Sequence, residues 1–244
     1  MKKSKVCVVT GASKGIGNAI AKRLNSDGYH SVAVDINEPD DDDFKSADGI
    51  TFIKCDVTNE EEVHKLFSSV ISDFGSVDVL VNNAGIIRDN MIWNMPEQDF
   101  DNVINVNLKG TWLMCKAASG LMKEKGSGCI INIASRAWLG NAGQTNYAAS
   151  KAGVVALTRV LSLELGRYGI AVNAVAPGLI DTPMTRKLPA EVLEKLILAQ
   201  PTRKIGLPED VAHAVSFLAD SRTSFINGQV IYVDGGKSVA SNMV

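Results

Sequence analysis

Apolar residues along this chain fall into two alternating patterns: short β-branched runs, and longer stretches where they recur every three or four positions. Val6-Cys7-Val8-Val9 predicts a buried strand, followed by glycine-rich residues and a helix carrying Ile20, Ala21 and Leu24. Ser31-Val32-Ala33-Val34 predicts a second strand and Thr51-Phe52-Ile53 a third. Asn59-Glu60-Glu61-Glu62 opens a helix, because a polar cap and carboxylates suit a first turn; Val63, Leu66, Phe67 and Val70 follow at helical spacing. Val77–Val81, Cys129–Ile133, Ile170–Val175 and Gln229–Val233 predict the remaining strands. Strands this continuously apolar are buried on both faces, which requires a parallel sheet with helices on each side. Right-handed crossovers then make it doubly wound. The acidic run Asp40–Asp43 reads as a solvated loop, and neither a repeat nor a low-complexity linker divides the chain.

Composition changes this picture mainly by exclusion. Of 244 residues, 45% are hydrophobic and 21% charged, a balance that builds a core without disulfides or metals. The formal net charge of -2 offers no basic surface for nucleic acid. Cys7, Cys55, Cys115 and Cys129 form no C-x-x-C pair and read as buried thiols. His30, His64 and His213 lack ligand-like spacing, so neither a metal site nor a Ser/His/Asp hydrolase is expected. The apolar stretch after the basic start Met1–Val6 is too short for export, and no segment reaches membrane-spanning length. A cytoplasmic protein without a membrane partner is expected.

The first strand runs into Thr10-Gly11-Ala12-Ser13-Lys14-Gly15-Ile16-Gly17. Gly11 permits a tight turn; Gly15 and Gly17 remove side chains where backbone must approach a pyrophosphate and pack on the sheet. The helix that follows presents free N–H groups and a positive dipole end to phosphates. A strand before, a helix after and an acidic residue about twenty positions later complete the dinucleotide-binding context. The expected fold is thus α/β: one Rossmann-type doubly wound domain over residues 1–244, with about seven parallel strands and helices on both faces. Asp35, ending the second strand, would hold the adenosine ribose hydroxyls and repel the extra phosphate of NADP. Lys14 works the other way by offsetting phosphate charge. The balance favours NAD over NADP.

Further motifs follow in order: Asp56-Val57, Asn82-Asn83-Ala84-Gly85, Asn107, Ser135, Tyr147-x-x-x-Lys151 and Pro177-Gly178. With the glycine turn, they resemble the short-chain dehydrogenase/reductase family over essentially the whole chain. The resemblance implies that Asp56 and Val57 flank the adenine, and that Asn83, Ala84 and Gly85 lie along the cofactor. It makes Tyr147 the general acid/base, Ser135 the donor to the substrate oxygen, and Lys151 a partner of both tyrosine and cofactor. Asn107 would hold a water linking Lys151 to solvent. Pro177, Gly178, Ile180 and Thr182 would position the nicotinamide. Physical chemistry supports the Tyr/Lys pair, since residues four apart share a helix face. A tyrosine with a pKa near 10 is a poor base at neutral pH, and a nearby ammonium lowers it. Ser135 at a strand tip would stabilise the developing oxyanion.

The reaction implied is hydride transfer between NAD(H) and a secondary alcohol or ketone. Asn82–Asn90 and Gly143–Gly153 look most like the 3-oxoacyl-thioester reductase branch. An NADPH-dependent 3-oxoacyl-[acyl-carrier-protein] reductase is therefore the alternative, and a catalytically silent nucleotide-binding subunit a remote one. Two departures stand against the alternative. Gly126 and Tyr168 occupy positions where carrier-protein reductases place basic docking residues, although Lys123, Lys125 and Arg167 lie nearby. Asp35 is the other. Met91, Trp93, Met95, Trp138 and Leu139 suit either a bulky apolar substrate, such as an acyl-CoA or an alicyclic or aromatic alcohol, or core and subunit packing. Residues 183–200, divided by Pro183, Pro189 and Pro201, read as a helical lid over the substrate. The family resemblance implies a homotetramer built through helices at about Asp99–Lys125 and Tyr147–Tyr168 and through the last strand.

Overall fold

A computed structural model describes residues 5–39 and 41–239. Seven strands form one sheet: β1 (Val6–Thr10), β2 (His30–Asp35), β3 (Ile50–Lys54), β4 (Val79–Asn82), β5 (Gly128–Ile133), β6 (Ile170–Pro177) and β7 (Val230–Val233). Their order is β3-β2-β1-β4-β5-β6-β7, and every neighbouring pair is parallel. Chain direction across the sheet reverses between β1 and β4, leaving a crevice at their carboxyl ends where such sheets bind ligands.

Alternate residues of each strand point to opposite faces, so the sheet carries two cores. On one face Val8, Val32, Leu80 and Ile130 pack with Leu66 and Phe67 of α3 (Glu60–Phe74) and Met114 of α5 (Thr111–Lys125). On the other, Val9, Ala33, Val81 and Ile131 pack with Ile20 and Leu24 of α1 (Gly15–Ser26) and Val215 of α8 (Pro208–Ala219). The α3 start matches its acidic signature: Asn59 Oδ1 accepts from the Glu61 and Glu62 amides at 3.0 and 3.3 Å. Gly75 ends the helix at φ 82°, a left-handed conformation that glycine adopts without Cβ strain.

Five features differ from the sequence expectations. The acidic run is not wholly loop: Asp41 Oδ1 accepts from the Phe44 amide at 3.1 Å and caps the short α2 (Asp42–Ser46), which buries Phe44. Asp40, like Met1–Ser4 of the basic start, lies outside the described residues. β4 begins at Val79 rather than Val77, and the Asp78 carboxylate turns back to accept from the Val6 amide at 2.7 Å. The helix expected over 99–125 is α4 (Glu97–Ile104), a π-helical segment Asn105–Gly110, and α5. The helix expected from Tyr147 begins earlier, as α6 (Thr145–Leu165), and ends in a 3-10 turn, Gly166–Tyr168. α8 was not anticipated from the sequence, although Pro208 at its first turn and buried Val211, Val215 and Leu218 carry the signal. Between β6 and α8, α7 (Ala190–Leu198) buries no residue.

Candidate active site

Most expected site residues lie at or just beyond a strand's carboxyl end, whereas Asn107 lies in the π-helical segment and Tyr147 and Lys151 on α6. At the tip of β1, Gly11 takes φ +64°, and a Cβ there would lie 2.8 Å from Ala84 Cα. A Cβ on Gly17 would collide with the Gly11 carbonyl oxygen, so even alanine is excluded. Gly15, at φ +59°, differs. Its Cβ would meet nothing closer than Pro183 Cδ at 3.7 Å and Thr182 Cβ at 3.8 Å, which brings the 182–183 segment over the glycine turn with open space between. Lys14 stands at the α1 N-cap without a side-chain cap bond, and the first turn holds no acidic residue. A helix end left this way suits an anion, so the turn fits the pyrophosphate of a dinucleotide.

Asp35 at the end of β2 is tied to the same turn. Its Oδ2 accepts from Ser13 Oγ at 2.8 Å and the Ser13 amide at 3.1 Å, and its Oδ1 accepts from the Asn37 amide at 3.1 Å. Ser13 therefore orients Asp35. Asp56 is engaged locally, accepting from the Thr58 hydroxyl at 2.7 Å and amide at 2.9 Å. Val57 is buried under the π-helical segment, where a Cβ on Gly110 would meet its Cγ2 at 2.8 Å.

Thr10 opens the glycine-turn motif, but the sequence assigned it no role of its own. Its Oγ1 accepts from the Asn83 and Ala84 amides, each at 3.0 Å, while Asn83 Nδ2 donates to the Thr10 and Gly11 carbonyls at 3.0 Å. These four bonds lock the tips of β1 and β4 together. Deeper in the sheet, Asn82 Nδ2 donates to Asn132 Oδ1 at 2.8 Å, and Asn132 Nδ2 to Thr158 Oγ1 at 2.9 Å. That buried chain joins β4, β5 and α6, and polar residues inside apolar runs were its only sequence signal.

On the opposite side, Asn107 is fully buried at the centre of the π-helical segment. Its Oδ1 accepts from the Ile86 amide at 2.8 Å, and its Nδ2 donates to the Ile86 carbonyl at 3.0 Å and Ser150 Oγ at 3.1 Å. Wide helical turns of this kind often mark functional positions. A Cβ on Gly85 would stand 3.2 Å from Asn107 Oδ1 and 3.6 Å from Lys151 Nζ, so these three residues border one space.

Lys151 is buried and donates to the Ile133 carbonyl at 2.8 Å, with its Nζ 5.7 Å from the Tyr147 ring centroid. Burial pushes its pKa down to about 8, because a charged ammonium loses hydration there. Burial pushes Tyr147 up to about 12; a hydrogen bond with Ser135 works against the rise, and the Asp89 charge adds to it. The expected lowering of the tyrosine by its lysine does not emerge: burial dominates and Lys151 is not among the causes of the shift. Ser135 also accepts from the Ala137 amide at 3.1 Å, opening the 3-10 turn Arg136–Leu139. Asn146, another residue not anticipated, donates to the Arg88 carbonyl at 2.8 Å and so ties the start of α6 to the segment after β4.

Beyond β6, the Gly178 amide donates to the Val233 carbonyl at 2.9 Å, following Pro177. The Ile180 carbonyl accepts from Thr185 Oγ1 at 2.7 Å, and the Thr182 amide donates to the same hydroxyl oxygen at 2.8 Å. Ile180 is buried, so this loop is anchored rather than free. The bulky apolar residues divide. Trp138 packs against buried Val154, Val155 and Ala174, whereas Trp93 is 72% and Leu139 48% exposed. The segment that carries Trp93 is tied to the start of α6 on both sides: the Asn90 amide donates to the Gly143 carbonyl at 2.9 Å, and Asn146 Nδ2 donates to Met95 Sδ at 3.4 Å.

Known proteins share this architecture and length. The family model described as enoyl-(acyl carrier protein) reductase matches residues 11–238. The chain is 46% identical to (2S)-[(R)-hydroxy(phenyl)methyl]succinyl-CoA dehydrogenase subunit BbsD of Thauera aromatica, covering 97% of each protein. It is 43% identical to a 3-oxoacyl-[acyl-carrier-protein] reductase of Thermotoga maritima, covering 95% of this chain and 97% of that protein. Levodione reductase superposes with a TM-score of 0.92 at 34% identity, covering 97% of this chain and 98% of that one. Ligand-free aldohexose dehydrogenase of Thermoplasma acidophilum gives 0.91 at 35%, covering 99% and 97%. Together with the ordered motifs at the strand tips, these matches place the chain in the short-chain dehydrogenase/reductase family, as an oxidoreductase acting on CH–OH groups.

Proposed function

We propose that this enzyme interconverts a bulky secondary alcohol and its ketone with NAD(H), using Tyr147 as acid/base, Ser135 as oxyanion donor, and Lys151 and Asn107 behind them. The observation that carries the reading is Lys151 Nζ, 5.7 Å from the Tyr147 ring centroid and bordering the space at Gly85, with Ser135 just beyond the tip of β5. A bound nicotinamide dinucleotide would supply the two-electron chemistry, accepting hydride from the carbinol carbon in oxidation and returning it in reduction. Its pyrophosphate would rest on Gly11–Gly17, its ribose on Asp35 and its adenine beside Asp56 and Val57. Asn83, Ala84, Gly85, Pro177, Gly178, Ile180 and Thr182 would line its nicotinamide half. In reduction Tyr147 donates its phenolic proton to the substrate oxygen while the Ser135 hydroxyl polarises the carbonyl. In oxidation Tyr147 takes the alcohol proton, and the Lys151 charge stabilises the phenolate that accepts it.

The finer assignments rest on particular residues. Asp35, held by Ser13, supports NAD, since a fixed carboxylate repels a ribose phosphate. Residues 183–200 suit a substrate lid, because Met184, Leu188, Val192, Leu196 and Leu198 are all exposed apolar side chains. Exposed Trp112 on α5 and Val160 and Leu163 on α6 suit a homotetramer packed through those helices. Four free buried thiols suit the cytoplasm. The relative from Thauera aromatica is named for a hydroxy(phenyl)methyl substrate, which supports an aryl carbinol as the alcohol class.

A second reading, NADPH-dependent 3-oxoacyl-carrier-protein reduction, draws on the Thermotoga maritima relative. Against it, Lys125 is spent on Asp78 at 2.8 Å, and Lys123 and Arg167 both stand over the Tyr168 ring. Initial rates with NADH and NADPH on aryl ketones and on 3-oxoacyl thioesters separate the readings. Faster turnover of aryl ketones with NADH is expected; NADPH preference with carrier-bound substrates would establish the alternative.

A further inference from the structure

Two fully buried polar side chains on α6 each stand one residue before a member of the Tyr147/Lys151 pair: Asn146 before the tyrosine, Ser150 before the lysine. Residues four apart share a helix face, and one residue turns about 100° around the axis, so α6 carries two such pairs on adjoining faces. One pair borders the reaction space. The other is spent on hydrogen bonds.

Asn146 Nδ2 donates to the Arg88 carbonyl at 2.8 Å, with longer contacts to Met95 Sδ and the Asp99 carbonyl, each at 3.4 Å. Its Oδ1 accepts from the Tyr147 amide at 2.7 Å. One turn on, Ser150 Oγ accepts from Asn107 Nδ2 at 3.1 Å and donates to the Tyr147 carbonyl at 2.7 Å. Asn107 is in turn fastened to the amide and the carbonyl of Ile86. Both routes therefore end on the main chain of residues 86–88, directly after Gly85, where a Cβ would stand 3.6 Å from Lys151 Nζ. Apolar side chains would bury α6 equally well and leave its register loose. Satisfied buried hydrogen bonds to main chain fix that register.

Resting on the alcohol/ketone reading above, we infer that Asn146 and Ser150 are positioning residues for the reaction: they dock α6 on residues 86–88 and so aim Tyr147 and Lys151 at the substrate and cofactor. Neither touches the reacting atoms. Asn146 holds the first turn through the Tyr147 amide, and Ser150 holds the next through the Tyr147 carbonyl, so the tyrosine is gripped on both sides of its Cα. A tilt of α6 that moves the phenol by a fraction of an ångström misdirects proton transfer while the glycine turn at the tip of β1 keeps the cofactor.

The test separates aim from stability. Single-turnover hydride transfer from NADH to an aryl ketone is followed by loss of NADH absorbance, with enzyme and ketone in excess and saturating, for wild type, S150A, S150T and N146A. Under these conditions the rate constant reports folded, cofactor-loaded enzyme, whatever fraction is folded. In S150A and N146A it should fall by about 10- to 100-fold. NADH affinity by fluorescence titration should stay within about threefold, roughly 0.7 kcal/mol or less. S150T keeps the hydroxyl and should recover most of the rate constant that S150A loses. A wild-type rate constant in S150A and N146A, with only Tm lowered, would overturn the inference and assign the pair to stability alone. Equal losses in S150T and S150A would also overturn it, since packing and not the hydroxyl would then set the rate. Both results leave the alcohol/ketone reading intact. Absence of hydride transfer in the wild type, from NADH or NADPH to aryl ketones or 3-oxoacyl thioesters, would overturn the reading and the inference together.

Discussion

Lys151 donates to the Ile133 carbonyl at 2.8 Å while its Nζ stands 5.7 Å from the Tyr147 ring centroid. The strand-tip carbonyl thus fixes the ammonium near the tyrosine but does not neutralise it. Burial brings Lys151 to about 8 and holds Tyr147 at about 12. Between those values the tyrosine keeps its proton while the lysine loses its charge. Ketone reduction should therefore fall as pH rises through about 8, and K151R, which keeps its charge, should retain activity further into alkali. The pH profile of kcat/KM for reduction checks this; an unchanged alkaline limb in K151R would assign the limb to another group.

The Asp35 carboxylate is fixed by Ser13, and the proposed NAD preference rests on its charge. In D35N the charge is gone but the shape remains. The ratio of kcat/KM for NADP to that for NAD should rise by roughly 10-fold or more, about 1.4 kcal/mol or above. Steady-state kinetics with both cofactors gives the ratio directly, and an unchanged ratio would remove Asp35 from cofactor choice.

Much of this was legible in the sequence. Seven apolar runs gave seven strands because a parallel sheet buried on both faces admits few polar residues. The glycine turn and the Tyr147/Lys151 pair were legible because tight turns and helix faces have fixed spacings. What stayed hidden was set by long-range contacts. The π-helical turn at Asn107 answers to the Ile86 backbone, and its residues keep an ordinary helical pattern. Thr10 and Asn146 act through main-chain groups some 70 and 58 positions away. Phe44 made a helix of an acidic run because it had a core to enter.

The thiols make a separate prediction. Burial raises Cys7, Cys115 and Cys129 to about 12 and Cys55 to about 11, so thiolate is scarce at neutral pH. The native protein should react slowly with a disulfide reagent at pH 8 and expose four thiols in denaturant. Raised pKa values also set a linkage sign. Above pH 9 the unfolded chain loses protons that the folded state keeps, so stability present below pH 9 is lost progressively up to about 12. Lys151 opposes this between about 8 and 10.5, as its depressed value favours folding with rising pH. One lysine does not offset four cysteines, and Tm should fall above pH 9. A flat Tm over that range would contradict the burial argument.

The Asn82–Asn132–Thr158 chain should matter for stability as well as placement. N132A leaves Asn82 Nδ2 and Thr158 Oγ1 without their Asn132 partners inside the protein. Asn82 Nδ2 keeps Cys115 Sγ and Thr158 Oγ1 keeps the Val154 carbonyl, so the loss should be about 1–3 kcal/mol, the cost of a buried polar group left short of a partner. Denaturant unfolding measures this, and a loss below about 1 kcal/mol would mean that water replaces the lost amide.

The central claim is proton transfer by Tyr147. Y147F removes one oxygen and keeps the ring that packs beside Lys151. Turnover of an aryl ketone with NADH should fall by at least about 100-fold, in line with the usual contribution of a general acid. NADH binding, followed by fluorescence titration, should stay within about threefold. Undiminished turnover in Y147F would contradict the account at its centre.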